Sequence, residues 1–148
     1  AITAERIAFA VATYERTLLP DQTPWDRFVD GDPTAMTQGQ TQGWNAFRAS
    51  PCAVCHAPPT FTTHNFENIG LRPVAEDNGR QAVTGLAVDR GKFKVPTLRN
   101  VGLKPTLMHT GNFVALTQVI GFYANAAQQF PDNPQVQRVT TEAIGKLP

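Results

Sequence analysis

The residues best placed to do chemistry are Cys52-Ala53-Val54-Cys55-His56. Two thiols three positions apart, followed at once by a histidine, form the attachment signature of c-type haem. The spacing has a chemical reason. Each thiol adds across one vinyl group to make a thioether, and the histidine next in sequence is then carried to the iron as its proximal ligand. Cys52 and Cys55 are the two cysteines of the chain, so none is left for a disulfide. A redox CxxC pair calls for a thioredoxin-like βαβ pattern, and a zinc site for a second pair of ligands. Neither pattern is present, and the motif reads as the site of one covalently attached haem c with His56 on its iron.

The identity of the sixth ligand decides what such an iron can do. Methionine opposite histidine raises the reduction potential and suits electron transfer, whereas an open position admits small molecules. Met36, His64, Met108 and His109 are the candidates. Met36 reads more simply as a core filler, and His64, in Thr62-Thr63-His64-Asn65, as a solvated loop residue. Met108 and His109 lie between Pro105 and Gly111, the composition of a rigid turn that can aim a side chain at a fixed point. On chemistry alone these two are rivals.

The elements that must position these groups read as mostly α. Ile7, Val11, Tyr14 and Leu18 recur at helical steps between Thr3, a cap, and Pro20, a stop. Residues 20–33 are turn chemistry, with Trp25 and Phe28 tucked onto the core. Thr34 is expected to cap a second helix running to about Ala49, with Gly43, Trp44 and Phe47 on its last turns. Pro58 and Pro59 end any helix just past His56. Residues 60–105 show no sustained period and no convincing strand, and a loop of that length is usually functional or wrapped around something. Leu116, Val119, Ile120 and Tyr123 mark a third helix, and Val136, Val139 and Ile144 a fourth that opens near Asn133-Pro134. Phe61, Phe66, Phe93 and Phe113 flank the proposed ligands and are expected to help line the haem pocket.

Several segments carry a family resemblance. Phe93-Lys94-Val95-Pro96-Thr97-Leu98-Arg99-Asn100-Val101, followed by Met108-His109-Thr110-Gly111, resembles the haem-binding half of bacterial di-haem cytochrome c peroxidases and the related MauG-type enzymes. Phe66-Glu67-Asn68-Ile69-Gly70 and Asp77-Asn78-Gly79-Arg80 are similar to loop motifs that follow the haem site in that family. Tyr14-Glu15-Arg16-Thr17-Leu18, with Asp26-Arg27-Phe28 and Gly31-Asp32, resembles the entry to its C-terminal domain. The resemblance spans nearly the whole chain. It implies a cytochrome c-like fold whose helices and long loops wrap one covalently bound haem. It also implies the high-potential, electron-accepting haem, with His56 and Met108 as axial ligands and His109 supporting the turn. Family enzymes carry two haems on two domains, and one CxxCH occurs here. Residues 1–148 therefore read as a single haem domain, either a fragment of a longer di-haem protein or a separately made half. Calcium, which family enzymes can hold between domains, is assigned no ligands.

Charge and composition narrow the function further. A net charge of +1 lacks the basic excess of a general nucleic-acid binder. No apolar stretch approaches the roughly 20 residues of a membrane span. Residues 72–104 hold seven cations against three acids, a net of +4 that leaves −3 for the remainder. Such a face could steer an acidic redox partner, and serves equally as a solvated surface. Arg99 is a candidate partner for a buried haem propionate, because an unpaired buried charge is costly and guanidinium matches carboxylate in bidentate fashion; Arg80 reads rather as a surface residue. Haem c is attached outside the cytoplasm, so a periplasmic protein is expected, its leader removed or its upstream segment not included before Ala1. The expected role is electron transfer, with a small cytochrome c or cupredoxin as partner and a second haem domain as acceptor. The alternative is a peroxide-reducing haem enzyme whose sixth ligand is open or displaceable.

Overall fold

The structure is a computed structural model that describes residues 1–71 and 75–129. The helix expected after Asn133 lies outside the described residues. The chain falls into two compact units, Ala1–Thr41 and residues 42 onward.

In the first unit, α1 (Ala4–Glu15) begins where the sequence places it. The Thr3 side chain accepts a hydrogen bond from the Arg6 amide, and a 3₁₀ turn over Arg16–Leu18 closes the helix. Its apolar stripe forms but is not buried: Ile7, Val11, Tyr14 and Leu18 are each more than half exposed. Residues 20–33 are more ordered than turn chemistry suggests. Thr23 and Asp26 make a reciprocal capping box that starts α2 (Pro24–Val29), with proline in its first turn. Trp25 and Phe28 are half-buried. Thr34 does not cap the next helix; its amide and hydroxyl both donate to the Asp32 carboxylate in a turn. The cap is Thr37, which accepts from the Gln40 amide while the Gln40 side chain accepts from the Thr37 amide. That reciprocal pair opens α3 (Gln38–Ala49).

The second unit carries the haem motif. At the end of α3, the buried Ser50 hydroxyl donates to the Phe47 carbonyl and accepts from the Cys52 amide, 2.7 and 3.3 Å. Pro51 then leads into α4 (Cys52–Cys55), a single turn. The long stretch after His56 has its own framework. β1 (Phe66–Glu67) pairs antiparallel with β2 (Phe93–Lys94), Phe66 opposite Lys94 and Glu67 opposite Phe93. This short ladder corrects the expectation of no strands: two residues are too few for alternation to show. Between the strands lie α5 (Gln81–Thr84) and a 3₁₀ turn at Ala87–Asp89. α6 (Leu116–Gln129) follows, its start held by the Gln118 side chain accepting from the Val114 and Ala115 amides.

Val95, Leu107 and Phe122 are the fully buried apolar side chains among the described residues, and Ile69, Leu71, Met108, Phe113 and Tyr123 pack on Phe122. Leu116 and Ile120, on the apolar stripe that marks this helix, are 43% and 62% exposed. The architecture is mostly helical with one two-stranded sheet, and among the described residues no helix is long and apolar enough to cross a membrane.

Candidate haem-binding site

The single turn of α4 sets the two thiols at i and i+3, where side chains share one helix face. Cys52 is exposed and Cys55 half-buried. The His56 amide donates to the Cys52 carbonyl at 2.9 Å, and the Thr63 amide to the Cys55 carbonyl at 3.0 Å. These bonds fix the histidine at the end of the turn and fold the following loop back over it.

The imidazole is held by its inner nitrogen. His56 Nδ1 lies 3.1 Å from the Phe61 carbonyl oxygen and 3.1 Å from that of Pro96. Both partners only accept, so Nδ1 carries the proton and shares it between them, which leaves the Nε2 lone pair unprotonated. Burial lowers the ring's proton affinity, while the two carbonyls oppose that shift. A neutral imidazole presenting Nε2 is the form that binds a metal.

Side chains from two segments hold this cradle. Thr62 donates to the Val95 carbonyl at 2.7 Å, Thr97 to the Thr60 carbonyl, and the Leu98 amide to the Phe61 carbonyl at 3.2 Å. Phe61 itself adopts φ 54°, a left-handed conformation rare for a bulky residue. Trp44 and Phe47 of α3 pack around its ring, with centroids 6.2 and 5.8 Å away. Arg99 donates from Nε to the Pro59 carbonyl at 2.8 Å and sets its guanidinium 5.6 Å from the Phe61 ring centre. It therefore braces the loop behind His56.

Met108 sits in a tight turn closed by the Leu107 amide on the Phe113 carbonyl, 2.8 Å, and the Gly111 amide on the Met108 carbonyl, 3.2 Å. Its φ is 66°, and its side chain packs against Phe122 in the cluster that contains Tyr123. Burial pushes the Tyr123 phenol up to about 12. Tyr123 packs edge-on against Phe122, ring centroids 5.3 Å apart. The Thr110 hydroxyl is buried with no hydrogen-bond partner among the described residues, a polar atom awaiting an acceptor or donor two positions from Met108. Paired thiols, a neutral imidazole, a thioether and this hydroxyl suit a haem c.

The remaining candidates divide. His109 is exposed and stacks on Phe93, centroids 3.6 Å apart and planes within 11°. His64 is exposed, at φ 59°. Met36 lies half-buried in the first unit. Of the four phenylalanines, Phe113 joins the Met108 cluster, Phe61 covers the His56 loop, Phe93 meets His109, and Phe66 lies 4.0 Å beneath the Arg80 guanidinium. Arg80 is not a plain surface residue: it is half-buried and donates to Asp89 at 3.0 Å. Sequence reasoning missed Thr62 and Thr97, whose partners lie 33 and 37 residues away.

A helical domain with a Cys-x-x-Cys-His turn and a histidine held by its Nδ1 has the features of a haem redox protein, and comparison with known proteins gives the family. No protein-family model matches the chain. The chain is 36% identical over 123 residues to cytochrome c551 peroxidase of Nitrosomonas europaea, covering 80% of this chain and 37% of that protein. It is 35% identical over 119 residues to cytochrome c peroxidase Ccp of Escherichia coli, covering 76% and 26%. With the methylamine utilization protein MauG of Methylophilus methylotrophus it shares 31% over 131 residues, covering 86% and 39%. A MauG-like protein associated with microbial copper homeostasis matches in structure, with a TM-score of 0.65 and 25% identity over 84% of this chain and 41% of that one. The chain belongs to the cytochrome c peroxidase/MauG family, and it spans between 26% and 39% of the length of these three relatives.

Proposed function

We propose that the chain is an electron-transfer haem c domain, corresponding to the electron-accepting C-terminal half of a di-haem cytochrome c peroxidase. The observation that carries the reading is the two-carbonyl grip on His56 Nδ1, which leaves Nε2 as a metal ligand. Cys52 and Cys55 anchor one haem c, and His56 and Met108 are its axial ligands. The haem supplies a one-electron Fe(III)/Fe(II) couple. The chain does the rest. Phe61 and Pro96 orient the imidazole and raise its basicity; the 107–113 turn presents the thioether; the Phe122 cluster limits water at that side. Arg99, beside the His56 loop, is the propionate partner. Small soluble redox proteins of the cytochrome c or cupredoxin type serve as donors in the periplasm, and a second haem domain as acceptor.

The absorption spectrum of the ferric protein at neutral pH tests this. Methionine sulfur on low-spin iron gives a weak charge-transfer band in the far red, which is expected in the wild type and lost in Met108→Leu. High-spin features without that band in the wild type refute Met108 ligation and point to a peroxide-reactive iron.

A further inference from the structure

The two carbonyls that grip His56 belong to residues 35 positions apart, Phe61 and Pro96. A shared hydrogen bond of this kind works only while the two acceptors keep their spacing. Two threonine side chains span the gap: Thr97, after Pro96, donates to the Thr60 carbonyl, and Thr62 bridges from the other segment to the carbonyl that precedes Pro96. Thr62 follows Phe61, and its hydroxyl donates at 2.7 Å to the carbonyl of Val95, the residue before Pro96. The same hydroxyl accepts from the His64 amide at 2.9 Å, so its donor direction is committed to Val95. Thr62 and Val95 are both 6% exposed, and water does not compete for the bond. Phe61, in its left-handed conformation, holds its carbonyl where an unconstrained chain would rarely leave it.

From this arrangement we infer that Thr62 is a positioning residue for the proximal ligand: its hydroxyl sets the distance between the two acceptors and so the proton sharing at His56 Nδ1. Hydrogen bonds to that proton make the imidazole a stronger donor. A stronger donor favours ferric iron, and Thr62 holds the reduction potential down. The inference rests on His56 being the proximal ligand.

The test uses the haem-loaded chain. Thr62→Val keeps the β-branched shape and deletes the hydroxyl; Thr62→Ser keeps the hydroxyl. Thr62→Val is expected to raise the reduction potential and speed solvent exchange of the His56 Nδ1 proton by about fivefold, roughly the cost of one net hydrogen bond. Thr62→Ser is expected to restore both. Unchanged potential and exchange in Thr62→Val overturn the inference. In the ferrous wild type, nuclear magnetic resonance of the His56 ring reads ligation independently: unshifted ring signals refute the ligand assignment and the inference together. Shifted signals with an unresponsive Thr62→Val refute Thr62 alone. Should Thr62→Val fail to load haem, the wild type still decides. The ring proton should exchange no faster than the Val95 and Leu98 amides, which bond across the same two segments, and faster exchange than both overturns the inference.

Discussion

Burial and hydrogen bonding pull in opposite directions at His56, and the balance keeps the ring neutral with a defined tautomer. The candidate ligand is readable from sequence because thioether chemistry fixes the Cys-x-x-Cys-His spacing. What orients the ligand is not, because the carbonyls of Phe61 and Pro96 carry no residue-type signal. Gly79 shows the same limit. Its φ is +54°, and an added Cβ would lie 2.5 Å from the Lys92 carbonyl oxygen, the atom that accepts from the Arg80 amide. Nothing flexible can give way, since the obstacle is backbone. Gly79→Ala is expected to lower stability by roughly 2–4 kcal/mol, from left-handed strain plus overpacking, read as a drop in the denaturant midpoint without loss of the unfolding slope.

Among the elements, α5 and the 3₁₀ turn after it are joined by one carboxylate. Asp89 accepts from the Thr84 hydroxyl at 2.9 Å and from Arg80 Nε at 3.0 Å. The Thr84 bond is the main reason its pKa lies below the ordinary value of 3.8, with Arg80 and Lys92 assisting and burial opposing. A carboxyl depressed in the folded state contributes stability that is fully present above the ordinary value and lost as pH falls through the lowered one. Stability should therefore decline below about pH 4, and Asp89→Asn should flatten that decline; an identical acid limb in the variant would refute it. Capping explains which helices could be read in advance. Thr3 was legible because an apolar period follows it at once. α2 was hidden because Thr23-Pro24-Trp25-Asp26 has the composition of a turn, although its Thr-x-x-Asp spacing is that of a capping box. Thr34 and Thr37 are equal on composition, and Gln40, three residues past Thr37, is what separates them. Phe122 fell outside the stripe of Leu116, Val119, Ile120 and Tyr123, yet it is the centre of the cluster. Packing partners from residues 69–71 and 108–113, not the helical period, decide which face of α6 is covered.

At the scale of the whole molecule, a chain that spans 26–39% of its relatives' lengths carries one attachment motif, and under the proposed ligation both axial positions are filled. Purified alone, it is expected to exchange electrons with a small cytochrome but to show no sustained peroxide turnover. Met108→Ala is expected to gain peroxide reactivity by opening an axial position. Sustained turnover by the wild-type chain would remove the electron-transfer reading. The family was legible from Phe93–Val101 and Met108–Gly111, because those residues build the second half of the His56 cradle and the thioether turn. The same cradle has a consequence for protein engineering. Residues 51–56 supply thiols and a ring but not the ring's orientation, which is shared with residues 59–65 and 95–99. The smallest transplantable unit is discontinuous, and grafting the pentapeptide into a new scaffold would carry over the attachment without the tuning.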